Sequence, residues 1–315
     1  MTQTASSRER HAPLVVLAAG RATRYGGVKP LAPVGVGGEA VIDVLASDAL
    51  AAGFQRIVLV IGEDTGAAVR YHVERTWPDD VDVRFSVQHT PDGTVGAVCA
   101  AASALDPASH FAVANADDLP SVGALASLAA HLSGEAPTDV LVSFRLADTV
   151  IGSSPVTRGL CTIGDDGTLL ALEERRHVTP LPDGRFVADD GRQPRELDPD
   201  QPVSVNLWGF SPAMHEVFAA AMAVPSSGEV LLPDVVHHLL VGRADGVLGG
   251  GGARHGGAGR FRIDVLRAAG RCIGVTHADD VPLVTAALAR EVGRGERPAT
   301  LWTSRPATRS AARLP

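Results

Sequence analysis

Three cations, Arg21, Arg24 and Lys29, crowd a loop of small residues that directly follows an apolar run, Leu14-Val15-Val16-Leu17-Ala18-Ala19. Small residues let backbone N–H groups approach phosphate oxygens, and cations offset the charge there. The loop is neither of the two common phosphate loops. A dinucleotide fingerprint needs glycine at the second and fifth positions after Gly20, where Ala22 and Tyr25 stand. A P-loop needs Gly-Lys-Ser/Thr, and Val28-Lys29-Pro30 stands instead. An ordinary solvated loop with surface cations is the plain alternative. A second charged feature, Asn115-Ala116-Asp117-Asp118, ends the apolar run Phe111 to Ala114. On its own, an acidic pair before Leu119-Pro120 reads as a helix N-cap. A third, Glu173-Glu174-Arg175-Arg176, reads on its own as a charged strand end.

The elements that must carry these residues are legible from periodicity. Leu14 to Ala19 and Ile57 to Ile61 are continuously apolar, which fits strands buried on both faces. Val81 to Val87 alternates like a third strand, and Phe111 to Ala114 is a fourth. Between them Val41, Ile42, Leu45, Ala49 and Leu50 fall at helical spacing, closed by Gly53 as a C-cap. Gly93 opens a small-residue helix through Leu105. This alternation predicts a parallel sheet with right-handed crossovers. Ligands of such sheets bind beyond the carboxyl ends of the strands, where the cationic loop and Asp117 both lie. The second half reads as antiparallel hairpins, turning at Asp165-Asp166-Gly167 and Pro182-Asp183-Gly184. Val203 to Phe210 is a further strand, Val230 to Val241 a helix apolar on one side, and Cys272 to Val275 a last short strand.

Composition narrows the function classes. The chain has 315 residues and a net charge of −8, which argues against a nucleic-acid binder with its usual basic face. It leaves room for phosphorylated substrates held by a few local cations. The cysteines Cys99, Cys161 and Cys272 have neither disulfide-framework nor zinc-site spacing. No secretion signal precedes His11, and no apolar run reaches the ~20 residues of a membrane span. A cytoplasmic protein with no membrane partner is expected. Residues 1–12 and 303–315 read as flexible tails, and the glycine-rich stretch 246–259 as a mobile loop. The tandem His237-His238 on a helix cannot face one metal together, because neighbours point about 100° apart.

The motifs Ala18-Ala19-Gly20 … Thr23-Arg24 … Lys29-Pro30-Leu31 resemble the opening signature of the sugar nucleotidyltransferases, the nucleoside-diphosphate-sugar pyrophosphorylases. The resemblance continues, in order, at Gln88 … Gly93-Thr94, Asn115 to Asp118, Thr157-Arg158-Gly159, Glu174-Arg175, Ser204 to Phe210, Leu232-Pro233, Gly274-Val275-Thr276 and Pro298 to Trp302. It implies a three-layer α/β/α nucleotidyltransferase fold related to the GT-A glycosyltransferases, with a mixed, mostly parallel central sheet and a smaller β-rich sugar-binding part. Residues 13–302 would form a single domain, about 13–150 holding the nucleotide and about 151–302 the acceptor. The implied reaction is attack of a sugar-1-phosphate oxygen on the α-phosphorus of a nucleoside triphosphate, releasing pyrophosphate. By resemblance Arg24 and Lys29 are catalytic, gripping the triphosphate and steadying charge at the α-phosphate. Ala19, Gly20, Arg21 and Thr23 would line the nucleotide, with Gln88, Gly93 and Thr94 at the base. Asp117 would hold Mg2+, one of the Asp117-Asp118 pair binding metal and the other capping a helix. Gly159, Glu174, Arg175 and Asn206 would bind the acceptor, Arg175 at its phosphate.

One departure stands out. Many members of that family supply a second metal-binding aspartate from a late Trp-x-Asp-x-Gly segment, and this chain has Cys272-Ile273-Gly274-Val275-Thr276 there. Asp117 would then act with the substrates alone, or Asp279 or Asp280 would move in, or the activity would be weaker. Two other readings stand beside nucleotidyl transfer. A GT-A-like glycosyltransferase would prefer Asp-x-Asp, which Asn115-Ala116-Asp117 half provides. A non-catalytic sensor on the same fold would be expected to lose Arg24, Lys29 or Asp117, and all three are present.

Overall fold

A computed structural model of the chain describes residues 11–20, 26–225, 228–242 and 261–302. The first-half strands form a parallel block. β1 (Leu14–Ala18) lies between β2 (Arg56–Gly62) and β4 (Phe111–Asn115), and β3 (Asp82–Gln88) extends the block beyond β2. The crossovers are α1 (Val41–Ala51), α2 (Glu63–Thr76) and α3 (Thr94–Ala101). Gly53 closes α1 as expected. At φ +109° it lets the Gly53 N–H reach Leu50 O at 3.2 Å and the Phe54 N–H reach Ala49 O at 3.1 Å.

Side-chain alternation along the buried strands builds the layers. Leu14, Val16 and Ala18 of β1 pack into one core with α1, α2 and the helices α4 (Val122–Leu132) and α7 (Val281–Gly293). Val15 points the other way, into a core with α3, α5 (Met214–Ala223) and α6 (Leu232–Leu240). Successive residues of a strand face opposite sides, so an unbroken apolar run needs helices on both. The expected three-layer α/β/α arrangement is present.

The rest of the sheet hangs on β11 (Pro202–Phe210). Its residues 208–210 pair antiparallel with β4, and residues 203–204 pair with β7 (Val156–Ile163). β6 (Val140–Arg145) runs along the other edge of β11 and also pairs, in parallel, with β12 (Asp264–Arg267). The register of β11 against β6 breaks between Ser204 and Trp208, a bulge that opens a gap between β4 and β7. From β7 an antiparallel wing continues through β8 (Leu169–Pro180), β9 (Phe186–Ala188) and β10 (Glu196–Leu197). A separate ribbon pairs β5 (Asp118–Pro120) with β13 (Cys272–Gly274). The sequence patterning did not single out α2, α4, β6 or α7. The tail segments 1–10 and 303–315 and the glycine-rich stretch lie outside the described residues. No described helix is long and apolar enough to cross a membrane.

Candidate active site

The carboxyl ends of β1, β2 and β3 converge on a cleft of about 80 Å³ lined by Ala19, Gly20, Glu63, Gln88 and Thr90 among others. Ala19, Gly20 and Gln88 thus meet where the parallel topology puts strand ends. Gln88 Nε2 donates to Asp92 Oδ1 at 2.5 Å and to Gly93 O at 3.0 Å. Gly93 and Thr94 do not line the cleft. Gly93, at φ +98°, packs so closely that a Cβ would lie 2.5 Å from Val230 O. The Thr94 hydroxyl accepts the Leu232 N–H at 2.7 Å, at the start of α6. Both residues join the loop after β3 to the segment that opens α6, and Gly93 also touches Gln88 through its carbonyl. Arg21, Thr23 and Arg24 lie outside the described residues.

Lys29 opens a short 3-10 turn, Lys29–Leu31, anchored by buried Pro30. Its Nζ donates to Asp117 Oδ2, joining residues 88 positions apart. Asp117 follows β4, so β1 and β4, direct neighbours in the sheet, bring the cation and the carboxylate to one place. Asp118 accepts the Asn115 Nδ2–H at 3.0 Å. Burial, then the neighbouring Asp117 charge, push its carboxyl up to about 6.

The expectation that one of this pair caps a helix is corrected. Asp118 enters β5 opposite Gly274, and Ser121 caps α4 by accepting the Ala124 N–H at 3.3 Å. Strand pairing with β13 claims the segment before a helix can start. A Cβ at Gly274 would fall 2.3 Å from Asp118 Oδ1, so glycine there is what makes room for the Asp118 carboxyl. Asp280 is buried and accepts the Thr276 and His277 N–H groups, both at 2.7 Å, so it braces its own turn; Asp279 is exposed. Among the described residues no group of three or more His, Cys, Asp or Glu side chains could hold a metal.

A second cavity of about 80 Å³ opens at the β11 bulge, lined by Asn115, Asp118, Gly159, Glu174, Asn206 and Pro233 among others. It gathers Gly159, Glu174 and Asn206 from β7, β8 and β11. Asn206 sits in the bulge at φ +63°, a conformation asparagine tolerates better than most residues. Its Oδ1 accepts the Trp208 Nε1–H at 3.2 Å, which leaves the Nδ2 amide to donate.

Arg175 is the clear correction. Its side chain is 0% exposed, with Nε donating to Asp190 Oδ2 at 2.7 Å and two further N–H groups to Asp190 Oδ1 and Pro194 O, both at 3.0 Å. The guanidinium holds the Asp190 carboxyl well below the usual carboxylate range, and that hydrogen bonding raises its own pKa. It braces the wing and offers nothing to an acceptor phosphate. Arg176, on the opposite face of the strand, bonds Glu174 Oε1 at 2.8 Å. With Arg192 and Asp234 it lines an adjoining cavity of about 340 Å³ that shares Glu174. The buried positions of β8 recur at every third residue, Leu169, Leu172, Arg175 and Val178, and its register against β7 shifts, so simple strand alternation does not separate Arg175 from Arg176.

A cation and a carboxylate that meet where neighbouring strands of a parallel sheet end mark the edge at which α/β enzymes bind their ligands. The MobA-like NTP transferase domain matches residues 14–181, just over half of the chain, and the chain belongs to this family: it is a nucleotidyltransferase. No curated protein matches the sequence. Among solved structures, a protein from Bacillus anthracis assigned as a glucose-1-phosphate thymidylyltransferase, in complex with sucrose, is 13% identical. It superimposes with a TM-score of 0.61, covering 88% of this chain and 95% of that one. The inositol-1-phosphate CTP transferase of T. maritima is 12% identical, with a TM-score of 0.60 over 89% and 97%. At these identities the likeness establishes the fold.

Proposed function

We propose that the protein transfers a nucleoside monophosphate from an NTP to a sugar-1-phosphate or a similar phospho-alcohol, in the cytoplasm where NTPs are plentiful. An oxygen of the acceptor phosphate forms a bond to the α-phosphorus. The bond from that phosphorus to the β-bridging oxygen breaks, and pyrophosphate leaves. The observation that carries this reading is the meeting of Lys29 with Asp117 just past the end of β4, where Ala19 and Gly20 after β1 line the Gln88 cleft and Asn115 and Asp118 line the Asn206 cavity. The sugar- and inositol-phosphate substrates in the names of the two structural relatives favour the same acceptor class.

Such a transfer depends on positioning and charge balance more than on covalent help. Lys29 donates toward the α-phosphate as charge develops there. Arg24 belongs to the same loop and grips the triphosphate. Residues about 13–150 hold the nucleotide and about 151–302 the acceptor. Asn206 donates its amide to the acceptor, and Glu174 accepts from its hydroxyls. Asp117, with the Asp118 carboxyl beside it, offers hard oxygen donors suited to Mg2+, which commonly takes one or two carboxylates plus substrate phosphates. Bound there, the ion would offset repulsion between the phosphates.

Pyrophosphate release tests the proposal: purified protein with Mg2+, each NTP and a panel of sugar and polyol phosphates should give product from at least one pair. Absence of any nucleotide binding in calorimetry would overturn it.

A further inference from the structure

Resting on the reading that Gln88 faces the base, the structure assigns Asp92 as a positioning residue that fixes which end of the Gln88 amide a nucleotide meets. A primary amide can present an oxygen or an NH2 group, and its surroundings decide. Here Nε2 lies 2.5 Å from Asp92 Oδ1 and 3.0 Å from Gly93 O. Both partners are acceptors, so only the NH2 end can face them, and both of its hydrogens are engaged.

Asp92 is itself fixed. Its Oδ2 accepts the Thr90 hydroxyl at 2.7 Å. Its carboxylate lies over the first turn of α3, where a helix N-terminus favours negative charge. A Cβ at Gly96 would fall 1.8 Å from Asp92 Oδ1, so glycine makes this seat possible. Asp92 and Gly93 do not line the cleft, whereas Gln88 does. The amide nitrogen is therefore turned away. Oε1, which makes no hydrogen bond among the described residues, is what Gln88 offers a ligand. The cleft accepts a nucleobase through an N–H on its hydrogen-bonding edge and rejects one whose N–H is blocked.

Calorimetry without acceptor tests this. The NTP that binds most tightly is compared with its analogue methylated at every N–H of the base's hydrogen-bonding edge. Wild type should bind the blocked analogue at least about tenfold more weakly, the range for one lost hydrogen bond that leaves a buried acceptor unmatched. Asp92→Ala, checked for folding by thermal melt, frees the amide to turn and should shrink that ratio at least about threefold. Gln88→Met, which keeps the length and removes the oxygen, should abolish it and serves if Asp92→Ala fails to fold. Equal binding of parent and blocked analogue by wild type overturns the assignment. So does an unchanged ratio in folded Asp92→Ala or in Gln88→Met. Failure of wild type to bind any NTP overturns the proposed function as well, which separates the two.

Discussion

The parallel block and the antiparallel wing place their charges differently. At the strand ends of the block, Lys29 and Asp117 meet each other while remaining partly exposed, at 19% and 30%. In the wing, charges neutralise one another: Arg175 with Asp190, Arg176 with Glu174, Arg192 with Glu173, Arg185 with Glu196. A parallel sheet collects its strand ends on one side, so charged residues there face a ligand by default. An antiparallel wing has no such common edge, and each charge goes to whichever face its register dictates. The two seats also differ in polarity. Gln88 is left with an acceptor and Asn206 with a donor, which suits a base N–H on one side and an oxygen-rich acceptor on the other.

The largest expected effect breaks the wing and not the chemistry. Arg175→Met should lower stability by about 3–5 kcal/mol in denaturant melts, the usual result of stranding one partner of a buried ion pair. The sign with pH follows from Asp190, whose carboxyl is held below its ordinary range. Its contribution is full above the unfolded carboxylate pKa of ~4 and is lost as pH falls toward the lower folded value. The gap between wild type and Arg175→Met should therefore narrow in acid. An Arg175→Met protein as stable as wild type but with a raised acceptor KM would return Arg175 to the substrate.

Next, Lys29→Ala should cut turnover at least ~10²-fold, the scale for losing one transition-state donor. The same variant removes the counter-ion of Asp117, so Mn2+ titrated into nucleotide-free protein should bind more tightly than in wild type. Asp117→Asn should weaken the Mg2+ dependence of the rate, and an unchanged titration would remove it as a ligand. Asn206→Asp keeps the acceptor for Trp208 and the tolerance of the bulge but loses the donor. It should raise acceptor KM about tenfold with nucleotide binding unchanged. The smallest effect is Arg176→Ala, an exposed pair on the face opposite Arg175, which should change stability by less than ~1 kcal/mol.

Much of the block is legible in the sequence alone. Continuous apolar runs at Leu14 and Ile57 announce strands buried on both faces, and that burial forces helices onto both. Among the elements that escaped, α2 has the most mixed pattern, whereas β6 is a short buried run. In α2 only Gly66, Val69 and Val73 are buried, too narrow a stripe to stand out. Of the site, Ala19, Gly20 and Gln88 were placed together, as were Gly159, Glu174 and Asn206. Gly93 stays beside Gln88 through its carbonyl and Thr94 binds the start of α6, whereas Arg175 is turned away because it answers to Asp190, 15 residues on.

The sequence by itself determined the order of buried strands, and with it that the loop after Ala19 and the acidic end at Asp117 share one edge. Hydrophobic period and chain direction suffice for that. Only the tertiary structure decided that Lys29 meets Asp117, that Asp118 lies in a strand against Gly274 with Ser121 as the cap, and that Arg175 is buried while Arg176 is not. These depend on register and close approach between segments 15 to 156 residues apart, and a local pattern cannot encode which face a bulged strand turns inward.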